Sequence, residues 1–145
     1  KFKLTHKDMT RFNITLKEAI NLVIFAIKNS KGGEIFVPKL PSYKLIDLAS
    51  TIMPKTKISF SGIRPGEKIH EEMISFTESL NTIEFKSHYV ILPSFKSNKM
   101  NSYIKRNGGK KTIKQFSYTS NNNKNFLNIK QIKKIISDLV VNDTL

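Results

Sequence analysis

A β-prone run over residues 57–63 breaks at Arg64-Pro65-Gly66-Glu67, and no other feature constrains the chain as much. Proline lacks an N–H and fixes its own φ, while glycine readily takes a positive φ. A strand therefore cannot run on through this dipeptide, and the backbone must bend. The bend sets an arginine and a glutamate three residues apart. Arg64 offers a planar fork that grips a phosphate with two parallel hydrogen bonds. Glu67 is an acceptor suited to paired hydroxyls such as those of a ribose. One loop would then hold both ends of a ribose-phosphate unit. The alternative is a surface turn carrying an ion pair.

The flanking sequence reads as α/β. Thr15 and Glu18 have the spacing of a capping box. Leu16, Ala19, Ile20, Val23, Ile24 and Ile27 follow at helical intervals. Gly32-Gly33 stops that helix, and residues 34–37 make a short buried strand ending at Pro38. Ser42 is placed to cap a second helix with Leu45, Ile46, Leu48, Ala49 and Ile52 on its apolar face; Pro54 ends it. Residues 70–75 read as a short helix, and 83–85 and 89–92 as strands. Composition changes after Pro93. Residues 94–120 are rich in Lys, Asn, Ser and Gly, with Gly108-Gly109 in the middle, and read as a linker or extended arm. Asn128 and Gln131 have capping-box spacing ahead of an apolar stripe of Ile129, Ile132, Ile135, Ile136 and Leu139. That stripe must be covered by the domain's own surface, a second chain or a missing domain. The chain thus divides into 1–93, a linker or arm over 94–120, and a terminal helix segment over 121–145.

At 145 residues with 39% hydrophobic content, the chain is long enough for one domain with a core. It lacks an initiator methionine, as expected of a start cut from something longer. No apolar run approaches the ~20 residues of a membrane span. Cysteine is absent, which excludes disulfides and thiolate metal sites and fits a cytoplasmic location. His6, His70 and His88 show no metal spacing. Glu71 and Glu72 are adjacent, so a helix would point them apart, against paired-carboxylate catalysis. The net charge of +14 raises a nucleic-acid reading. Only Arg11, Arg64 and Arg106 are arginines, so 22 of the 25 basic residues are lysines. They occur with abundant Asn, Ile and Phe, a pattern that genome composition explains, and no aromatic stacking motif accompanies them.

Three stretches in order carry a resemblance. They are Thr5-His6-Lys7-Asp8-Met9-Thr10-Arg11-Phe12, Gly32-Gly33-Glu34-Ile35-Phe36-Val37-Pro38-Lys39 and the 62–72 loop. Together they resemble the C-terminal part of the inverting UDP-N-acetylglucosamine 4,6-dehydratases, extended short-chain dehydrogenase/reductases of bacterial polysaccharide and flagellin-sugar biosynthesis. The resemblance implies the substrate domain of such an enzyme, with the Rossmann half absent. It matches Arg64 to the family's pyrophosphate-binding arginine, Glu67 to its ribose-binding acid and Arg11 to a second arginine that reaches the phosphates. Lys39, at the end of the 34–37 strand, is the weakest candidate.

The resemblance also implies NADP as the cofactor of the complete enzyme, a UDP-sugar substrate and a homo-oligomer. Hydride would pass from C4 of the hexose to the nicotinamide and return to C6 after water is lost. The remote UDP handle would hold the sugar in place meanwhile. None of that catalytic equipment is in this sequence. Four residues after Tyr43, Tyr89, Tyr103 and Tyr118 stand Asp47, Pro93, Asn107 and Asn122, so the family's Tyr-x-x-x-Lys pair is missing, as is a glycine-rich dinucleotide turn. The chain alone should therefore bind no NADP. A UDP-sugar 4-epimerase uses the same grip and is the near alternative. A basic nucleic-acid-binding module and a non-catalytic gene remnant are the others.

Overall fold

The structure is a computed structural model that describes residues 1–94 and 99–142. In chain order the elements are β1 (Phe2–Leu4), β2 (Thr10–Phe12), α1 (Leu16–Asn29), β3 (Ile35–Pro38), β4 (Ser42–Lys44), α2 (Leu45–Ile52), β5 (Ile58–Phe60) and β6 (Glu72–Ile74). A 3-10 turn (Glu78–Asn81), β7 (Thr82–Glu84), β8 (His88–Ile91), α3 (Met100–Asn107), β9 (Lys110–Lys111), β10 (Tyr118–Thr119) and α4 (Ile129–Asn142) complete it. The mixed α/β class expected from the sequence is present. Two compact units are each assembled from separate stretches. The first takes Lys1–Asn13, Pro41–Glu71 and the chain from Thr119 onward; the second takes Ile14–Leu40 and Glu72–Tyr118.

In the first unit β1 pairs in parallel with β5 and β2 pairs antiparallel with β4, with Arg11 opposite Tyr43. Ser42 does not cap α2. It sits in β4, fully buried, and anchors the C-terminal segment. Its N–H donates to Asn125 O at 2.8 Å, its carbonyl accepts from Leu127 N at 2.7 Å, and Asn123 Nδ2 donates to its Oγ at 2.9 Å. α2 instead starts at Lys44 without a side-chain cap; the Leu45 N–H is satisfied by Met9 O at 2.9 Å. A tertiary partner has replaced the local one. α4 begins with the expected Asn128/Gln131 capping box and packs on α2, burying Ile132. The domain's own surface therefore covers the middle of the stripe, while Ile129 and Leu139 stay exposed.

The second unit is built on an antiparallel sheet in the order β3-β8-β7-β9. Ile83, Val90, Leu92 and Met100 form its core, with Phe36, Phe85, Tyr103 and Ile104 packed around them. Three of these residues, Met100, Tyr103 and Ile104, come from α3, inside the 94–120 segment, where composition had indicated a linker or arm. Residues 95–98 of that segment lie outside the described residues. Gly108-Gly109 is a helix stop and a close approach rather than a flexible joint. The Gly108 N–H caps Ile104 O at 2.8 Å, and a Cβ on Gly109 would stand 2.8 Å from Ile83 Cγ2 and 2.9 Å from Phe85 Cζ.

α1 has the expected Thr15/Glu18 capping box, yet none of its residues is buried. Leu16 is 77% and Ile27 75% exposed, and the apolar face meets β3 mainly through Phe25, whose ring lies edge-on to Phe36 at 5.6 Å. β3 is an edge strand, and of its residues only Val37 is buried; Ile35 is 55% exposed, against the expectation of a buried strand.

Two further local expectations change. The strand expected over 57–63 stops at Phe60, because Gly62 takes φ +87°. The helix expected over 70–75 is instead β6, with Ile74 fully buried. Its helical signal belongs three residues on. Ser75 and Glu78 exchange side-chain and backbone hydrogen bonds there, and the 3-10 turn follows. Tertiary burial of Ile74 outweighs the weak local preference.

Candidate functional site

The Arg64-Pro65-Gly66-Glu67 bend closes with a Glu67 N–H to Arg64 O hydrogen bond of 3.0 Å. Proline at the second position and glycine at the third with φ +78° are what a type II turn requires. Nothing lies within 4 Å of where a Gly66 Cβ would point, so the glycine serves backbone conformation and not packing. The Glu67 side chain turns back on its own loop. Its Oε2 accepts the Arg64 backbone N–H at 3.1 Å and its Oε1 accepts the Thr5 hydroxyl at 3.0 Å. The bond from the Arg64 amide, chiefly, holds this carboxyl below its ordinary value; the Thr5 hydroxyl and the positive fields of Arg64 and Arg11 add to the effect against partial desolvation.

The two arginines are used differently. The Arg64 guanidinium is exposed and makes no hydrogen bond or ion pair among the described residues. It is a fork with nothing in it. Arg11, on β2, clamps the far end of the loop. Its Nη1 donates to Thr10 O at 2.7 Å and Ile69 O at 3.1 Å, and its Nη2 to Lys68 O at 3.0 Å. Its Nε stands 3.3 Å from Glu71 Oε1. Of the five guanidinium N–H donors, three are spent on carbonyls and one faces a carboxylate, which leaves one on Nη2. Arg64 and Glu67 thus share one loop of the first unit, and Arg11 on β2 clamps its far end.

Lys39 belongs to the second unit. Its Nζ pairs with Glu84 Oε1 at 2.6 Å and sits 4.7 Å from the centre of the Tyr89 ring. It lines a cavity of about 450 Å³ with Glu84, Phe85, Lys86, Gly109 and Lys110. Close by, His88 stacks on Phe85 at 4.7 Å; burial, and then the charge of Lys39, push its pKa below the ordinary value.

Sequence reasoning passed over Thr5 and Ser120 and weighed Glu71 only as a catalytic carboxylate; all three hold the loop. Thr5 stands in one of the matched stretches but carries no charge to draw attention. Ser120 is buried, 49 residues from its partner Glu71, and no local pattern signals it. Among the described residues no three His, Asp or Glu side chains gather as metal ligands, and no helix is long and apolar enough to cross a membrane. Dinucleotides are commonly held where a glycine-rich turn opens a helix. α1 opens on Thr15, α2 on Lys44 and α3 on Lys99, so the residues present do not fit that role.

Comparison with known proteins places this geometry. The sequence model of a family described as polysaccharide biosynthesis protein matches residues 1–93. A UDP-N-acetylglucosamine 4,6-dehydratase (inverting) of Campylobacter jejuni is 39% identical over 138 residues, covering 92% of this chain and 41% of that one. A UDP-glucose 4-epimerase of Rickettsia canadensis is 31% identical over 140 residues, covering 94% and 40%. An X-ray structure of Pen from Bacillus thuringiensis superposes with a TM-score of 0.77 at 29% identity, over 95% of this chain and 40% of that one. The chain therefore spans about 40% of the length of the relatives it matches.

Proposed function

Because the chain belongs to the polysaccharide biosynthesis protein family, and matches the C-terminal part expected of an extended short-chain dehydrogenase/reductase, we propose that it is the UDP-sugar-binding region of a UDP-N-acetylglucosamine 4,6-dehydratase. The observation that carries the proposal is the Arg64–Glu67 turn: a preformed bend with an unpartnered guanidinium at one end and a carboxylate at the other. Arg64 takes the pyrophosphate in a two-point grip. Glu67 exchanges its Thr5 contact for the ribose hydroxyls. The last Arg11 N–H, next to the same loop, meets the second phosphate charge. Lys39, already paired with Glu84, plays a smaller part. These groups bind and orient and do not move protons. NADP, when bound to the rest of the enzyme, supplies the hydride chemistry.

The remaining part of the fold is a partner in this reading. α1 buries no residue and leaves Leu16, Ile20, Val23, Ile24 and Ile27 of its apolar face exposed, and the relatives carry more than half their chain beyond what is matched here. A Rossmann half, supplied on the same chain or another, covers that face and brings cofactor and catalytic tyrosine. The complete enzyme is expected to be a cytoplasmic homo-oligomer. Similarity to the epimerase supports a second reading, a UDP-sugar 4-epimerase, which would use the same grip.

One experiment separates these. The 145-residue chain, alone and mixed in turn with a Rossmann half from a dehydratase relative and one from a 4-epimerase relative, is incubated with the nicotinamide cofactor and UDP-N-acetylglucosamine. The proposal expects no turnover alone and a 4-keto-6-deoxy product with the dehydratase half, the epimerase half remaining inactive. A 4-epimer formed only with the epimerase half would favour the second reading, and turnover by the chain alone would overturn both.

A further inference from the structure

Ser120 lies outside the residues that the family's sequence model covers, yet it is fully buried, tied to the end of the loop by two bonds and to β2 by a third. Its N–H donates to Glu71 O at 2.8 Å and its Oγ accepts the Glu71 N–H at 2.9 Å, so one residue holds both backbone groups of Glu71. The same Oγ lies 2.6 Å from Thr10 Oγ1, which lies 2.8 Å from His70 Nδ1. One assignment of protons satisfies the whole chain of contacts. Glu71 N–H donates to Ser120, Ser120 O–H to Thr10, and Thr10 O–H to His70 Nδ1, with the imidazole proton on Nε2.

What this network fixes is the backbone of Glu71, whose side-chain Oε1 faces Arg11 Nε at 3.3 Å. Arg11 and Thr10 are neighbours on β2, and both bond the 68–69 backbone: Arg11 through its side chain, Thr10 through its N–H to Ile69 O at 3.0 Å. The buried hydroxyls thus set the relation between β2, which carries Arg11, and the end of the loop, which carries Arg64 and Glu67.

We propose that Ser120 is a positioning residue for nucleotide binding: through Glu71 it orients the Arg11 guanidinium beside the Arg64–Glu67 turn. The inference rests on the nucleotide reading of that turn. Without the Ser120 hydroxyl, the Glu71 N–H and the Thr10 hydroxyl each lose a buried partner, and the backbone that presents the Glu71 carboxylate to Arg11 is held to residue 120 by one bond instead of two. The C-terminal segment would then complete a site whose ligand contacts all lie in the first 93 residues.

The test is calorimetric titration of the full chain with UDP, beside thermal melts. Ser120→Ala should weaken UDP binding by about three- to ten-fold, the effect of one net hydrogen bond. In an Arg11→Lys background the same substitution should cost no further affinity, because the fork it aims is already gone. A hydroxyl that merely staples the fold would lower the melting temperature and leave UDP affinity alone, and that result overturns the proposal. So does an equal loss of affinity in both backgrounds. If Ser120→Ala does not fold, Ser120→Cys keeps the shape and weakens the bonds; wild-type affinity in that variant overturns the proposal too. Arg64→Ala is run alongside. If it binds UDP like the wild type, the nucleotide reading fails and takes this inference with it. If Arg64→Ala loses affinity and the Ser120 variants do not, only the role of Ser120 falls.

Discussion

Replacing Arg64 by alanine should separate binding from stability, because the structure gives this side chain nothing to hold within the protein. Its guanidinium is exposed and unpartnered among the described residues, and its backbone N–H, which Glu67 uses, survives the substitution. The change in folding stability should stay within about 0.5 kcal/mol, as for other surface positions. UDP binding should weaken by about 1.5–3 kcal/mol, the range for a charged hydrogen bond, or roughly ten- to 150-fold. Arg64→Lys should recover only part of this, since a point charge replaces a fork. Arg11→Ala should behave otherwise. It removes two bonds to the loop's carbonyls, one to Thr10 O on β2 and the contact with Glu71, so both stability and affinity should fall. Urea melts and calorimetry on the two variants make the comparison. Unchanged UDP affinity in Arg64→Ala would refute the reasoning, as would a loss of stability matching that of Arg11→Ala.

Glu67→Gln should weaken UDP less than Arg64→Ala does, and mainly for ligands that carry a ribose; a panel of UDP, pyrophosphate and ribose-free analogues reads this out. The Glu67 carboxyl, held low chiefly by the Arg64 amide, contributes fully above its ordinary value of 4.5, and the contribution is lost as pH falls through its lower folded value. Carboxyl chemical shifts should therefore place its midpoint below 4.5, and a midpoint at or above that value contradicts the loop geometry. Gly109→Ala should destabilise the second unit by about 2–4 kcal/mol, combining the cost of a positive φ with overpacking against Ile83 and Phe85; a melt that matches the wild type would refute it. Nucleic-acid binding, if any, should lack sequence preference and disappear near physiological salt, because the lysines are dispersed along the chain. Tight, sequence-dependent binding over a salt titration would mean that the charge of +14 is functional.

The elements that local chemistry specifies were legible in the sequence. α1 and α4 begin at the capping boxes that Thr15/Glu18 and Asn128/Gln131 announce, and the Arg64–Glu67 bend forms where Pro65 and Gly66 demand it. Features set by distant partners were not. Ser42 looks like a cap, but three bonds to residues 123–127 make it a strand anchor. Residues 70–75 look helical, but Ile74 is buried as part of a strand. The 94–120 segment reads as a linker or arm because its apolar residues are few; three of them, Met100, Tyr103 and Ile104, pack α3 on the sheet. The candidate site divides in the same way. Arg64 and Glu67 could be found by charge and spacing. Thr5, which bonds Glu67, and Glu71 and Ser120, which meet at the end of the loop beside Arg11, reach these partners only in the fold.

The central claim is that this chain holds a uridine diphosphate group on the 64–67 turn. Titrating isotope-labelled chain with UDP and following its amide and arginine side-chain resonances tests that claim most directly. The account predicts saturable shifts centred on Arg64, Gly66 and Glu67 and on the Arg11 guanidinium, spreading to Thr5 as its contact with Glu67 is exchanged. Absence of saturable binding, or shifts confined to scattered lysines and abolished by moderate salt, would contradict it.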